Sequence, residues 1–202
     1  MRETYRSKLP THSFFTPRIL PSLRQLSLFP GEFSDQLRCP ISRISDLYSI
    51  APQLHHLSLP DWHEANMTPL LLKCENLISF ETKGNHRIST THHGKPLIGL
   101  RIKRDYQSPR EPILAVVKSA FLIGLIDSRS TVFIVSSQEE GIDELKDWAE
   151  SVHVALELKE GAVPFQERPP IREEADASIG FADWALKAAI ERGVVNELEY
   201  RR

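Results

Sequence analysis

The sequence predicts an α/β fold, a solenoid with a parallel sheet on one face and helices on the other. The phrase Leu-x-x-Leu-x-Leu begins at Leu23 and returns at Leu54, and weaker versions begin at Leu77 and Leu97. The intervals between these leucines are 31, 23 and 20 residues, and repeats of one strand plus one helix run about 20 to 29 residues. Segments with helical periodicity fill the intervals, so we expect neighbouring strands to be parallel.

Composition and charge are those of a globular protein without a general affinity for nucleic acid. Hydrophobic residues make up 41% of the 202 residues and charged residues 26%, and the formal net charge is -2. No apolar run approaches the roughly 18 residues that a membrane span requires, and the first residues lack the apolar core of a secretory signal. Cys39 and Cys74 form no Cys-x-x-Cys pair, so we expect two buried thiols and an intracellular location, cytoplasmic or nuclear.

The chain divides into four predicted segments. Residues 1–19 are an irregular lead-in or a truncated repeat, and 20–158 form the strand–helix solenoid. Residues 159–177 are rich in proline and charged side chains, which predicts a loop or linker. Residues 178–202 are predicted to form a C-terminal helix and tail. The irregular start leaves open that the chain is a piece of a longer repeat protein, or a truncated product without an independent function.

The elements of the solenoid follow from periodicity. Helices are predicted over 41–51, 64–74, 112–126 and 139–151, and further strands over 131–136 and 152–158. The sequence Ser137-Gln-Glu-Glu140 fits a capping box at the start of a helix. In the C-terminal helix the residues expected on the buried face are Ile179, Ala182, Leu186, Ala189 and Ile190.

The recurring strand phrase resembles the leucine-rich-repeat superfamily, and within it the irregular repeats of F-box-type intracellular proteins. The residues that carry the resemblance are Leu23, Leu26, Leu28, Leu54, Leu57, Leu59, Leu77, Phe80, Leu97, Leu100 and Ile102. The resemblance implies a face of parallel strands that holds a protein partner, often the substrate of a ubiquitin ligase. The Asn that closes the family's strand motif is absent, and no F-box is recognisable in residues 1–19, so the link to the ubiquitin pathway is an analogy.

Alternation along the strands predicts which residues would contact a partner. If the leucines enter the core, the residues between them face the other way. The predicted partner-binding residues are Gln25, Ser27, His56, Ser58, Ser79, Glu81 and Arg101. They would form a polar strip of mixed charge that suits a protein partner rather than nucleic acid or a membrane. We expect the chain to be a monomer. An ordinary solvated sheet face remains the alternative.

No catalytic, cofactor-binding or metal-ligating residue is predicted, so we expect a non-enzymatic protein. The histidines lack zinc-site spacing. A His-Glu-x-x-His motif that begins at His63 would need a second His at position 67, which is Met67. Nucleophile-elbow, Walker and dinucleotide-binding motifs are absent. The alternative hypothesis is a small α/β enzyme with a site near Asp127, where a polar turn joins a helix to a strand. That alternative predicts helices on both faces of the sheet and a pocket near Asp127, whereas the solenoid predicts helices on one face only.

Overall fold

The computed structural model describes residues 23–27, 47–59, 69–83, 94–104, 111–136, 141–160 and 171–196. The strands are β1 Gln25–Ser27, β2 His56–Leu59, β3 Ser79–Lys83, β4 Gly99–Lys103, β5 Thr131–Ser136 and β6 Ala155–Glu160. The helices are α1 Ile113–Leu122, α2 Ile142–Ser151 and α3 Ile171–Glu191, with a 3-10 turn over Ala51–Gln53. The predicted α/β class is confirmed.

All six strands form one parallel sheet in the order in which they occur along the chain. One row of the register joins Leu26, Leu57, Phe80, Leu100, Val132 and Leu156. The prediction that the four leucine phrases lie side by side and parallel is therefore confirmed. The order of the described strands never reverses, so this part of the chain has no topological switch point of the kind at which doubly wound proteins bind ligands.

The main core lies on the face of the sheet that carries this row of apolar residues. Leu57, Phe80 and Leu100 are fully buried there. Helices α1 and α2 cover them with Val117, Ala120, Leu145 and Ala149, which belong to the same apolar cluster. Burying a side chain of the size of Leu or Phe stabilises a fold by about 1.5 to 3 kcal/mol. Packing on this face therefore holds the strands and the two crossover helices together.

The ends of α1 and α2 require special backbone conformations. Helix α1 begins after Pro112, whose missing N–H costs nothing in a first turn. Gly124 after α1 has a φ of +77°, a conformation that glycine adopts without a steric penalty. His153 after α2 has a φ of +59°, and its amide and that of Val154 donate to carbonyls of the last turn. The chain thus uses a non-glycine residue at the end of α2, at a steric cost.

Helix α3 lies on the opposite face of the sheet. Its Ala185, Ala188 and Ala189 pack with Ile78 and Ile98 in a second, separate apolar cluster. Helices consequently lie on both faces, as the enzyme alternative predicted. The two crossover helices α1 and α2 nevertheless share one face, and α3 reaches the other only after the last strand.

The predicted bounds and orientation of the C-terminal helix differ from the structure. The helix begins at Ile171, so the segment predicted to be a linker ends before it. Ile179, expected to be buried, is 51% exposed, whereas Ser178, Phe181 and Ala185 are buried. Apolar residues occur around most of α3, and the face that contacts the sheet combines Phe181 and Trp184 with buried alanines.

Several predictions fall partly or wholly outside the described residues. These are the lead-in 1–19, the capping box at 137–140, Cys39 and the first parts, 41–46 and 64–68, of the helices predicted over 41–51 and 64–74. Cys74 is described and is fully buried, and burial raises the pKa of its thiol to about 12. Within the described ranges, the helices are too short or too polar to cross a membrane.

Candidate functional site

The predicted partner-binding residues lie in two adjacent rows on one face of the sheet. Gln25, His56 and Ser79 align in the first row. In the second row, Ser27 aligns with Ser58, Ser58 with Glu81, and Glu81 with Arg101. Sequence periodicity therefore identified a continuous polar strip.

The sequence predicted that the strip would be open to solvent, but the structure shows most of it buried. His56 and Glu81 are each 2% exposed, Ser58 and Ser79 are also buried, and Arg101 is half-buried. The cause is α3, whose residues contact the strip. The face that was expected to hold another protein holds a helix of the same chain.

Hydroxyl groups and one imidazole connect the first row to α3. His56 Nδ1 shares a hydrogen bond of 2.8 Å with Ser79 Oγ, and His56 Nε2 lies 3.3 Å from Ser178 Oγ. Ser178 Oγ also lies 2.9 Å from Ser27 Oγ on the edge strand β1. Ser178 is fully buried, so one helix hydroxyl satisfies polar groups on two strands. Paired in this way, buried polar groups avoid the cost of lost hydration.

The environment of His56 keeps its imidazole neutral. Burial lowers the pKa of His56 to about 4; the Glu81 carboxylate opposes this shift, and Arg101 and Lys103 add to it. The ring of Phe181 meets the imidazole edge to face, with centroids 5.9 Å apart. A neutral ring can donate at one nitrogen and accept at the other, which suits its position between two hydroxyl groups.

A buried carboxylate organises the second row. Glu81 accepts a hydrogen bond of 3.1 Å from Ser58 and forms ion pairs with Arg101 at 3.3 Å and Lys103 at 2.6 Å. Arg101 also donates to the carbonyl of Ala177 on α3, at 2.7 Å. Its guanidinium therefore joins the sheet charge to the helix backbone. The Arg101 guanidinium also lies over the Phe181 ring, 5.8 Å from the centroid, a cation–π geometry that adds to this contact.

An aromatic cluster closes the other side of the interface. The ring centroids of Phe133 and Trp184 are 4.7 Å apart, and those of Phe133 and Phe181 are 5.3 Å apart. Both helix rings lie against Gly99, where an added Cβ would stand 2.8 Å from Trp184 Cζ3 and 3.0 Å from two Phe181 ring atoms. A side chain of any size on this strand position would displace the rings. Gly99 therefore lets the two rings pack directly against the backbone of β4.

Sequence reasoning missed the helix half of this site. Ser178, Phe181 and Trp184 recur every three residues and contact this face of the sheet, and Phe133 contributes from β5. Two signals were available. The Ser-x-x-Phe-x-x-Trp spacing places the three side chains along one side of a helix, and a glycine inside a strand marks close approach of another group.

Ser178 and His56 form a serine–histidine pair that is buried between α3 and the sheet. A serine beside a histidine is the arrangement of an activated nucleophile, yet Ser178 is fully buried and the far nitrogen of His56 faces the Ser79 hydroxyl. Among the described residues, no three His, Cys, Asp or Glu side chains are grouped to hold a metal ion.

The site near Asp127 of the enzyme alternative is a hydrogen-bonded turn. The Asp127 carboxylate accepts from the Arg129 amide at 2.8 Å, and the Asp127 amide donates to Ser130 Oγ at 2.9 Å. Ser130 is fully buried and donates to the Leu97 carbonyl at 2.5 Å. These bonds fix the connection between α1 and β5 and give the polar residues there a structural role.

We compared the chain with known protein families, curated proteins and solved structures. No protein-family model, no curated protein and no solved structure matches the chain. The leucine-rich-repeat resemblance therefore stays a prediction from the strand phrases.

Proposed function

We propose that this chain is a non-catalytic protein-interaction scaffold of the solenoid type, and that its polar sheet face is the surface that receives a protein partner. The observation that carries the proposal is that this face already holds an α-helix through a matched set of hydrogen bonds, ion pairs and ring contacts. Binding of a helix in a groove is a general mode of protein recognition. A relation to F-box-type ligase receptors rests on the strand resemblance alone.

The strand order supports the solenoid part of the proposal. Each described strand pairs with its neighbours in sequence, and each crossover through α1 or α2 returns on the same face. Successive units of this kind add one strand and one connection at a time, so the sheet can be extended without changing its pattern. The opposite face is consequently left to ligands or, in this chain, to α3.

The composition of the face supports a protein ligand. The strip presents hydroxyls, an imidazole and an ion-paired carboxylate beside the aromatic Phe133. A mixture of polar groups around a ring can satisfy the backbone and side chains of a peptide segment, whereas nucleic acid would require an excess of positive charge.

The proposal is tested by partner capture with α3 detached. The release variant carries Phe181→Ala and Trp184→Ala, which remove the two helix rings that contact the sheet. A second chain adds His56→Ala, Glu81→Ala and Arg101→Ala to the release variant. The matched control instead adds alanine at Glu144, Asp147 and Glu150, three exposed positions of α2.

We expect proteins captured from a cell extract by the release variant to be retained by the α2 control and lost from the chain with the altered strip. Far-UV circular dichroism checks that all three chains remain folded. An identical set of captured proteins with the strip altered and the fold intact would contradict the proposal.

A further inference from the structure

We propose that α3 is a displaceable internal ligand of the sheet face, and that the partner docks through an amphipathic helix of the same chemistry. That helix carries a small hydroxyl residue, aromatic residues three and six positions later, and a seam of small residues. This inference rests on the proposed function and specifies its partner. The structure supplies the template for that partner, since α3 occupies the surface.

The first support is the independence of the main core from α3. The large apolar cluster joins the sheet to α1 and α2, and among the described residues it includes no member of α3. The α3 contacts form a separate cluster with Ile78 and Ile98. Detachment of α3 would therefore leave the packing between the sheet and the two crossover helices in place.

The second support is the kind of apolar side chain that α3 places against the sheet. Apart from the rings of Phe181 and Trp184, its buried apolar residues are alanines, namely Ala182, Ala185, Ala188 and Ala189. Because hydrophobic stabilisation scales with buried apolar area, an alanine seam contributes less than a leucine seam of equal length. The strip beneath is polar, and water can hydrate its hydroxyls and charges when the helix leaves.

The third support is the specificity of the contacts that remain. Ser178 lies between Ser27 and His56, Phe181 lies against Gly99 and beneath Arg101, and Trp184 reaches Phe133. The three helix residues are separated by one turn each. A partner helix must reproduce this spacing, because its rings have to lie over Gly99, where the strand has no side chain in their way.

The test uses the full chain and a synthetic fluorescein-labelled peptide of residues 176–196. Its affinity is measured by fluorescence anisotropy for the wild type, for the release variant and for a matched control. The control carries Asp183→Ala and Lys187→Ala, on the exposed side of α3. Protection of Cys74 from a maleimide reports on the main core, because this thiol is fully buried there.

We expect the peptide to bind the release variant at least about tenfold more tightly than the wild type, because apparent affinity scales with the fraction of molecules whose face is free. The control should match the wild type. A peptide with Phe181→Ala and Trp184→Ala should not bind, and Gly99→Ala in the release variant should abolish binding of the original peptide.

Equal affinity for wild type and release variant would overturn the inference, and so would absence of binding while Cys74 stays protected. Loss of Cys74 protection in the release variant would also overturn it, because α3 would then be part of the main core. Strip-dependent partners that the peptide fails to displace would refute the helix chemistry while the proposed function stands. Peptide binding without any strip-dependent partner would instead refute the proposed function.

Discussion

Gly99 offers the sharpest single test of how α3 is held against the sheet. In Gly99→Ala the new methyl carbon would stand 2.8 Å from Trp184 Cζ3 and 3.0 Å from the Phe181 ring. Carbon atoms pack at about 3.5 to 4.0 Å, so both rings must move away from β4. Overpacking of this kind costs about 1 to 3 kcal/mol. We therefore expect the variant to unfold more easily and to hold α3 less tightly.

The assay is urea unfolding followed by circular dichroism and by tryptophan fluorescence, which includes Trp184. Thermal unfolding gives a second readout, because each kcal/mol of lost stability lowers the Tm of a chain of this size by about 2 to 4 °C. Gly180→Ala is the matched control, because among the described residues a Cβ added there meets nothing within 4 Å. Replacing glycine by alanine inside a helix stabilises it by about 0.5 to 1 kcal/mol. A Gly99→Ala chain as stable as the wild type would refute the close approach described here.

Three further changes test the polar contacts and one backbone conformation. Glu81→Gln removes the buried partner of Arg101 and Lys103, and we expect a loss of about 3 kcal/mol in urea unfolding; a loss below 0.5 kcal/mol, roughly the value of an exposed pair, would argue against a buried network. His56 has a pKa of about 4 in the folded chain and about 6.5 when unfolded. The unfolded state therefore binds more protons between these values, and stability should fall by about 3 kcal/mol as pH falls from 6.5 to 4. His56→Gln should flatten this part of the pH profile, and an unchanged profile would show that another group is responsible. His153→Gly should raise the free energy of unfolding by about 1 kcal/mol, because it relieves the positive φ after α2; no gain in urea unfolding would show that the histidine is unstrained there.

Strand periodicity was sufficient to predict the sheet. The Leu-x-x-Leu-x-Leu phrases align Leu57 with Phe80 and Phe80 with Leu100, because alternation along a strand determines which side chains share a face. The β-branched run predicted as a strand over 131–136 is β5 with the same bounds. The same periodicity placed His56 and Glu81 on the opposite face. These features depend on residues close together in sequence.

The position of α3 could not be predicted in the same way. Its sequence carries apolar side chains on several sides, so periodicity alone favoured Ile179, which the structure leaves half exposed. The face that docks is selected by distant residues, chiefly Gly99 and His56, and such tertiary matching has no local signature. For the same reason the polar strip was expected to be open.

Native-state hydrogen exchange tests the central claim most directly, because it measures the opening free energy of each segment separately. If α3 is a detachable occupant of the sheet face, amides of 178–190 should exchange through an opening that costs less than global unfolding. Amides of β4 and β5 should at the same time keep the full protection of the main core. Equal opening free energies for α3 and for these central strands would show that the helix is an inseparable part of the fold, and would contradict the account.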